Sequence, residues 1–187
     1  RSFQNCGVNL LTQFLGGTTY IDANDNCVND AEQFVTNMMV TITNGANTHT
    51  RTSNQGGDYL FPTGDHVYDV SATPPSSSWL VCNGPETADF TTGADEIYID
   101  FGLEAVNECP YPTIDITAPF LRRCFSNVIK VPYCNVGSEV LENTTITVTL
   151  DDFFIFESAN IPPTSIMGQV LTFELGDLGV FECGEIV

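Results

Sequence analysis

The chain has 187 residues, of which 42% are hydrophobic, and this is enough for a packed core in one large domain or two small ones. Its 24 acidic and 5 basic residues give a formal net charge of −19, which argues against nucleic acid and anionic membrane surfaces as partners, because both attract Lys and Arg. No apolar run reaches 18 residues, so we expect no insertion into a membrane.

Short segments rich in Val, Ile, Thr, Tyr and Phe alternate with turns rich in Gly, Asn, Asp and Pro along the whole chain, a pattern typical of all-β proteins. An N-terminal segment, residues 1–15, precedes the first of these runs. In the first half only residues 29–34 could form a short turn of helix. The strands predicted for this half lie at residues 18–22, 38–43, 48–52, 59–61, 67–72, 79–82 and 97–101.

The most informative stretch of the first half is residues 22–32, where oxygen-bearing side chains recur at alternate positions, as in an EF-hand loop. Calcium prefers six to eight oxygen ligands, and a coiled loop turns alternate side chains toward one point. The position that is usually glycine holds Cys27, and the closing acid comes one residue early. The same composition also suits a plain Asx-rich turn. The predicted calcium ligands are the side chains of Asp22, Asn24, Asn26, Asp30 and Glu32 and the carbonyl of Val28.

A boundary is predicted near residues 106–112, where Pro110 and Pro112 interrupt the strand pattern. We therefore expect a first domain over residues 16–106 and a second over residues 107–187. Further strands are predicted at 113–117, 128–134, 145–150 and 170–175, with a stub at 186–187. Since only this stub follows Gly184, we expect the second sandwich to be C-terminally incomplete.

The seven cysteines are scattered and form no CxxC pair, so they favour disulfides in an exported protein over a zinc site. An odd number leaves one cysteine without a partner in the chain. The cysteines are Cys6, Cys27, Cys82, Cys109, Cys124, Cys134 and Cys183.

Neither histidine lies in a recognisable catalytic context, and there is no G-x-S-x-G motif or phosphate-binding glycine loop, so we expect the protein not to be an enzyme. Four aromatic residues could either form a sugar-stacking platform or belong to the core, and β-strand aromatics favour the core. These four residues are Tyr59, Tyr68, Trp79 and Tyr98.

The first half resembles the SdrD B-like (Cna B-type) repeats of bacterial surface adhesins. The resemblance covers residues 17–102 and includes two ordered blocks; the variant with Cys27 in the loop looks like repeats of Bacteroidetes surface proteins. The first block is carried by Gly17, Tyr20, Asp22, Asn24, Asn26, Asp30 and Glu32, and the second by Thr52, Gly57, Tyr59, Phe61, Gly64, Tyr68 and Val70.

The second half, residues 111–187, resembles the Ig-like repeats that follow such modules in bacterial exoproteins. Its signals are residues 121–123, the stretch 133–137, the threonine-rich strand at 143–150 and the stretch 173–178. Together the two resemblances imply tandem Ig-like or prealbumin-like β-sandwiches at the bacterial cell surface. They imply a stalk, spacer or filament module stabilised by calcium, or alternatively an adhesin module that recognises carbohydrate or a host or prey surface protein.

Disulfides between Cys27 and Cys82, between Cys109 and Cys124, and between Cys134 and Cys183 are predicted for such sandwiches, although six cysteines alone allow 15 connectivities. Cys6 then remains for an intermolecular contact. We expect residues 6–15 to pack against a neighbouring domain or subunit of the same protein, giving a head-to-tail fibre by strand addition. The alternative is that neighbouring sequence of a longer chain completes the second sheet.

Overall fold

A computed structural model describes residues 13–187, and every regular element in this range is a β-strand. The predicted all-β fold class is therefore confirmed. No described segment forms an apolar helix of membrane-spanning length. The described strands are β1 (Gln13–Ile21), β2 (Met39–Thr43), β3 (Thr48–Thr52), β4 (Asp58–Thr63), β5 (Val67–Thr73), β6 (Trp79–Val81), β7 (Glu86–Asp89), β8 (Glu96–Tyr98), β9 (Phe101–Ala105), β10 (Pro112–Ile114), β11 (Val131–Asn135), β12 (Leu141–Thr149), β13 (Ser165–Met167), β14 (Val170–Leu178) and β15 (Cys183–Ile186).

The strands belong to two compact units. The described part of the first unit comprises residues 13–75 and Trp79–Glu104, and the second unit comprises Ser76–Ser78 and Ala105–Val187. The short segment at Ser76–Ser78 therefore belongs to the second unit, a detail that the predicted ranges 16–106 and 107–187 did not contain.

The first unit is a sandwich of two sheets. One sheet has the order β4-β1-β9-β6, with β8 also paired to β1, and the other has the order β3-β2-β5-β7. Alternate residues of β4 and β5 are buried, as a sheet with one face on the core requires. The buried hydrophobic residues of this unit include Tyr20, Val40, Phe61, Val70, Phe90, Phe101 and Leu103.

Strand β1 is longer than predicted, because it begins at Gln13 and not near Thr18. A side chain at Gly17 would place its Cβ 1.8 Å from the carbonyl oxygen of Ile99. Glycine is thus required inside the strand for close approach of the neighbouring backbone. Residues 13–15, which belonged to the segment predicted to reach a partner, pair with β4 of their own unit. Residues 1–12, including Cys6, lie outside the described residues.

The predicted helical turn at residues 29–34 is wrong. The backbone returns along β1 in this stretch: the N–H of Ile21 donates to the carbonyl of Gln33 at 2.8 Å, and the N–H of Val35 donates to the carbonyl of Thr19 at 2.9 Å. Tyr20 and Phe34 form an isolated antiparallel bridge. Pairing with β1 therefore satisfies backbone groups that a helix would have satisfied internally.

The second unit consists of two three-stranded sheets, with the orders β10-β11-β15 and β12-β14-β13. Their facing residues form a small core, and a disulfide joins Cys134 on β11 to Cys183 on β15, where the two residues are directly opposite each other. The buried residues of this core are Val131, Ile146, Leu171, Phe173 and Ile186.

Candidate metal-binding loop and thiol cluster

One carboxylate connects the two ends of the loop that follows β1. Glu32 accepts a hydrogen bond from the N–H of Ala23 through Oε1 at 2.7 Å, so the two ends of the loop lie side by side. The N–H of Asp22 donates to the carbonyl of Leu103 at 2.9 Å, which attaches the first loop residue to β9. The second oxygen of Glu32, Oε2, is buried and accepts no hydrogen bond from the described residues.

Three of the predicted calcium ligands meet directly. Oδ2 of Asp30 accepts hydrogen bonds from Nδ2 of Asn24 at 3.1 Å and from Nδ2 of Asn26 at 3.3 Å. All three side chains are exposed. The loop therefore gathers one carboxylate and two amides around a common point.

Asp22 organises the loop from the buried side, since its residue is only 3% exposed. Its Oδ1 accepts the N–H of Asn26 at 3.1 Å, and its Oδ2 accepts the N–H of Cys27 at 2.7 Å. Burial raises the pKa of Asp22, but these backbone hydrogen bonds outweigh burial and hold the pKa below its ordinary value. Asp22 is therefore held as a carboxylate at the base of the loop.

Val28, predicted to contribute its carbonyl, donates its N–H to Oδ1 of Asn26 at 2.7 Å, while its side chain is exposed. The loop backbone is tightly coiled: Asp25, Cys27 and Ala31 have φ values of 56°, 56° and 76°. These left-handed conformations are unfavourable for residues with a Cβ. Cys27 therefore adopts the conformation for which glycine is usual at this position.

A second cluster lies behind the loop. One ligand atom from each of Asp22, Cys27, Cys82 and Glu104 lies within 4.8 Å of the others. Sγ of Cys27 lies 3.5 Å from Oε1 of Glu104, to which it donates a hydrogen bond. Burial, followed by the neighbouring Cys27 thiol, raises the pKa of the Cys82 thiol. Loop spacing alone could not indicate Glu104, because β9 brings it there from more than 70 residues away.

Tyr20 lies beside this cluster and is fully buried. Its hydroxyl has no hydrogen-bond partner among the described residues, and burial raises the pKa of the hydroxyl. A Cβ at Gly102 would come within 2.9 Å of the Tyr20 hydroxyl oxygen and 2.8 Å of Sγ of Cys82. The absence of a side chain at Gly102 therefore leaves the space that these two groups occupy.

The structure forms one of the predicted disulfides, Cys134–Cys183, and holds the other four described cysteines as free thiols. Cys109 does not pair with Cys124: its Sγ lies 3.3 Å from Oγ of Ser78, whereas Cys124 is exposed. Cys27 and Cys82 are not joined, although they lie in the same cluster.

The four candidate platform aromatics do not share a surface. Tyr59, Tyr68 and Trp79 belong to the buried core of the first unit, and Tyr98 is 69% exposed. The interpretation of these residues as core is therefore correct for three of them.

The second unit has an open apolar cleft of about 1170 Å³, lined by core residues of both sheets, including Val131, Leu171 and Phe173. Phe153 and Ile155 at its margin are 95% and 89% exposed. Arg122 and Arg123 also line the cleft. No periodicity in the sequence indicated this feature, because it depends on how far apart the two sheets lie.

Comparison with known proteins leaves the family open. No protein-family model matches the chain, and no match was found among curated proteins. Among solved structures, the chain is similar to one titled "The Bacillus anthracis TIE protein", at 12% sequence identity and a TM-score of 0.41. The alignment covers 90% of this chain and 32% of that chain. Likeness at this level carries no argument about function, and the resemblance to SdrD B-like repeats stays a prediction.

Proposed function

We propose that the chain is a non-catalytic structural or adhesive module of an exported bacterial surface protein, in which calcium stabilises the first unit. The observation that carries the proposal is the convergence of Asn24, Asn26 and Asp30 in a loop whose base is the buried carboxylate of Asp22. A module of this kind acts as a stalk, spacer or filament repeat.

The donor set suits calcium. Carboxylate, amide and carbonyl oxygens are the ligands that this hard cation takes in flexible loops. Asp22, Asp30 and Glu32 would supply charge and side-chain oxygens, and Val28 would supply its carbonyl. Asn24 and Asn26 would supply amide oxygens after rotation of their amide groups, because each now donates Nδ2 to Oδ2 of Asp30. The buried, unpartnered Oε2 of Glu32 supports this assignment, because a bound cation would satisfy an oxygen that otherwise loses its hydration without compensation.

Three further features support the structural role. The Cys134–Cys183 disulfide fits an oxidising compartment. The net charge of −19 gives a self-repelling surface that keeps the protein soluble. His49 on β3 and His66 before β5 are both exposed, which fits surface side chains without a catalytic role in the proposed module.

Calorimetric titration with calcium tests the proposal, together with thermal unfolding in calcium and in EGTA. A hundredfold excess of calcium over its dissociation constant should stabilise the first unit by about 2.7 kcal/mol, because the ion binds only the folded loop. Asp30→Asn should abolish the binding heat and the thermal shift. Asp152→Asn removes one equally exposed charge from the second unit and should leave both unchanged. Absence of heat and of any thermal shift in the unsubstituted chain would overturn the calcium assignment.

The cleft of the second unit favours a second candidate, an adhesin module that binds a surface protein. Its apolar lining and its exposed Phe153 and Ile155 suit a protein segment better than a carbohydrate, which requires several polar donors. Phe153→Ser should weaken capture of such a partner and leave calcium binding intact. Reproducible binding on a glycan array that Phe153→Ser does not alter would speak against this version.

A further inference from the structure

The thiols of Cys27 and Cys82 are brought together by three separate parts of the first unit. Asp22 and Cys27 come from the loop after β1, Cys82 follows β6, and Glu104 lies on β9. The N–H of Cys82 donates to the carbonyl of Gly102 at 3.0 Å, and the missing side chain of Gly102 leaves room for the Cys82 sulfur. The cluster therefore pairs a sulfur fixed on the sheet with a sulfur carried by the loop.

The two sulfur atoms lie close enough for a direct bond to be considered. They lie within 4.8 Å of each other, so a small movement of the loop brings them to the bonding distance of about 2.0 Å. Neither residue is fully buried, so a small oxidant can reach them. The same chain already holds one disulfide, Cys134–Cys183, in its second unit.

We infer that Cys27 and Cys82 form a disulfide under oxidising conditions, and that this disulfide raises the calcium affinity of the loop; the second half of this inference rests on the calcium function proposed above. With a small-molecule disulfide such as oxidised glutathione, one cysteine thiolate attacks a sulfur of the oxidant and releases one reduced glutathione. The other cysteine thiolate then attacks the mixed disulfide and releases a second. The two protein thiols thereby lose two protons and two electrons, which the oxidant accepts.

Affinity should rise because Cys27 is the central residue of the loop. It lies between Asn26 and Val28, both assigned to the ion, and its N–H holds Oδ2 of Asp22. Its φ of 56° is one that a residue with a side chain seldom adopts when free. A bond to Cys82 holds Cys27 in place, so calcium needs to order less of the loop when it binds.

Peptide mapping without reduction, after equilibration of the full chain with oxidised glutathione, tests the bond itself. The expected result is a peptide pair linked through Cys27 and Cys82. Free or alkylated thiols at both positions would overturn the inference. Retention of one equivalent of zinc by the protein, with both thiols protected from oxidation, would overturn it as well and would assign the cluster to a thiophilic metal.

Calcium titration of the oxidised chain and of Cys27→Ser/Cys82→Ser tests the coupling. The oxidised chain should bind calcium on the order of tenfold more tightly than Cys27→Ser/Cys82→Ser does, a factor within the range measured for coupled sites. Cys109→Ser/Cys124→Ser removes two thiols from the second unit and should match the unsubstituted chain. By linkage, calcium should shift the glutathione equilibrium of the Cys27–Cys82 pair by the same factor.

The two proposals fail separately. If the chain that carries the mapped disulfide binds calcium with the same affinity as Cys27→Ser/Cys82→Ser, the coupling alone is refuted. A chain that binds no calcium in either state would refute the proposed calcium function, whereas the peptide map would still decide whether the bond forms.

Discussion

Replacement of Tyr20 by Phe should stabilise the first unit, although it removes a polar atom from a natural core. The Tyr20 hydroxyl is fully buried and has no hydrogen-bond partner among the described residues. A buried group left without a partner costs about 1–3 kcal/mol of desolvation, and Phe keeps the ring while removing that cost. We therefore expect Tyr20→Phe to raise the free energy of unfolding by about 1 kcal/mol.

Tyr59 provides a matched control in the same unit. It is also buried, but its hydroxyl donates to the carbonyl of Ile99. Tyr59→Phe removes that bond and leaves the carbonyl without this donor, so the free energy of unfolding should fall by about 1 kcal/mol. The two substitutions delete the same atom and should differ in sign.

Urea unfolding in EGTA, followed by the fluorescence of Trp79, measures both effects. Trp79 is the only tryptophan of the chain and is buried in the first unit, so its emission reports on that unit. EGTA removes any contribution from calcium at the adjacent loop. If Tyr20→Phe destabilises the unit as much as Tyr59→Phe does, the Tyr20 hydroxyl has a partner and the reasoning is wrong.

Three further predictions concern stability. Cys134→Ser/Cys183→Ser should lower the stability of the second unit by roughly 4 kcal/mol, because the disulfide closes a loop with a sequence separation of 49 and so lowers the entropy of the unfolded chain. Thermal unfolding followed by circular dichroism measures this effect, and an unchanged midpoint would contradict it. Gly17→Ala should abolish folding of the first unit because its Cβ meets a backbone carbonyl, whereas Gly84→Ala, which meets nothing within 4 Å, should behave as wild type in the same urea assay. Burial, and to a lesser extent the charge of Asp100, raises the pKa of Tyr59 above its ordinary value of about 10. The neutral Tyr59 hydroxyl therefore contributes stability that is fully present below about pH 10. This stability is lost as the pH rises toward the pKa of Tyr59 in the folded state. Urea unfolding between pH 8 and pH 11 should show this loss, and Tyr59→Phe should reduce it, leaving the part that comes from the buried Tyr20.

The sequence pattern predicted strands well where one face of a strand is buried and the other is exposed to solvent. Tyr59 and Phe61 on β4, and Tyr68 and Val70 on β5, alternate with exposed residues and were placed correctly. The start of β1 was missed because glycine, present at positions 16 and 17, has a low intrinsic preference for strands. Their role depends on how closely the backbone at Ile99 approaches, which is a property of the tertiary fold.

The candidate site was predictable only in its local part. Asp22, Asn24, Asn26 and Asp30 follow one another within nine residues, so their spacing predicts that the loop brings them close together. Glu104 reaches the same place through β9, and its position depends on strand order. A parallel pairing of β1 with β9 brings the chain past residue 100 back to the loop, and a single sequence does not specify such a pairing.

The coiled backbone explains why two stabilising devices would serve one loop. Three of its residues with side chains, Asp25, Cys27 and Ala31, hold positive φ, and left-handed geometry costs roughly 1–2 kcal/mol for each such residue. The hydrogen bonds from Asn24 and Asn26 to Asp30 are exposed, so water competes with them and their net contribution is small. The buried Asp22 carboxylate holds part of the conformation by accepting the N–H groups of Asn26 and Cys27, and a further constraint would add to that. The proposed ion would act at the front of the loop, where Asp30 gathers the side chains of Asn24 and Asn26, and the proposed bond from Cys27 to Cys82 would act behind it. Each would then lower the free energy that the other must supply.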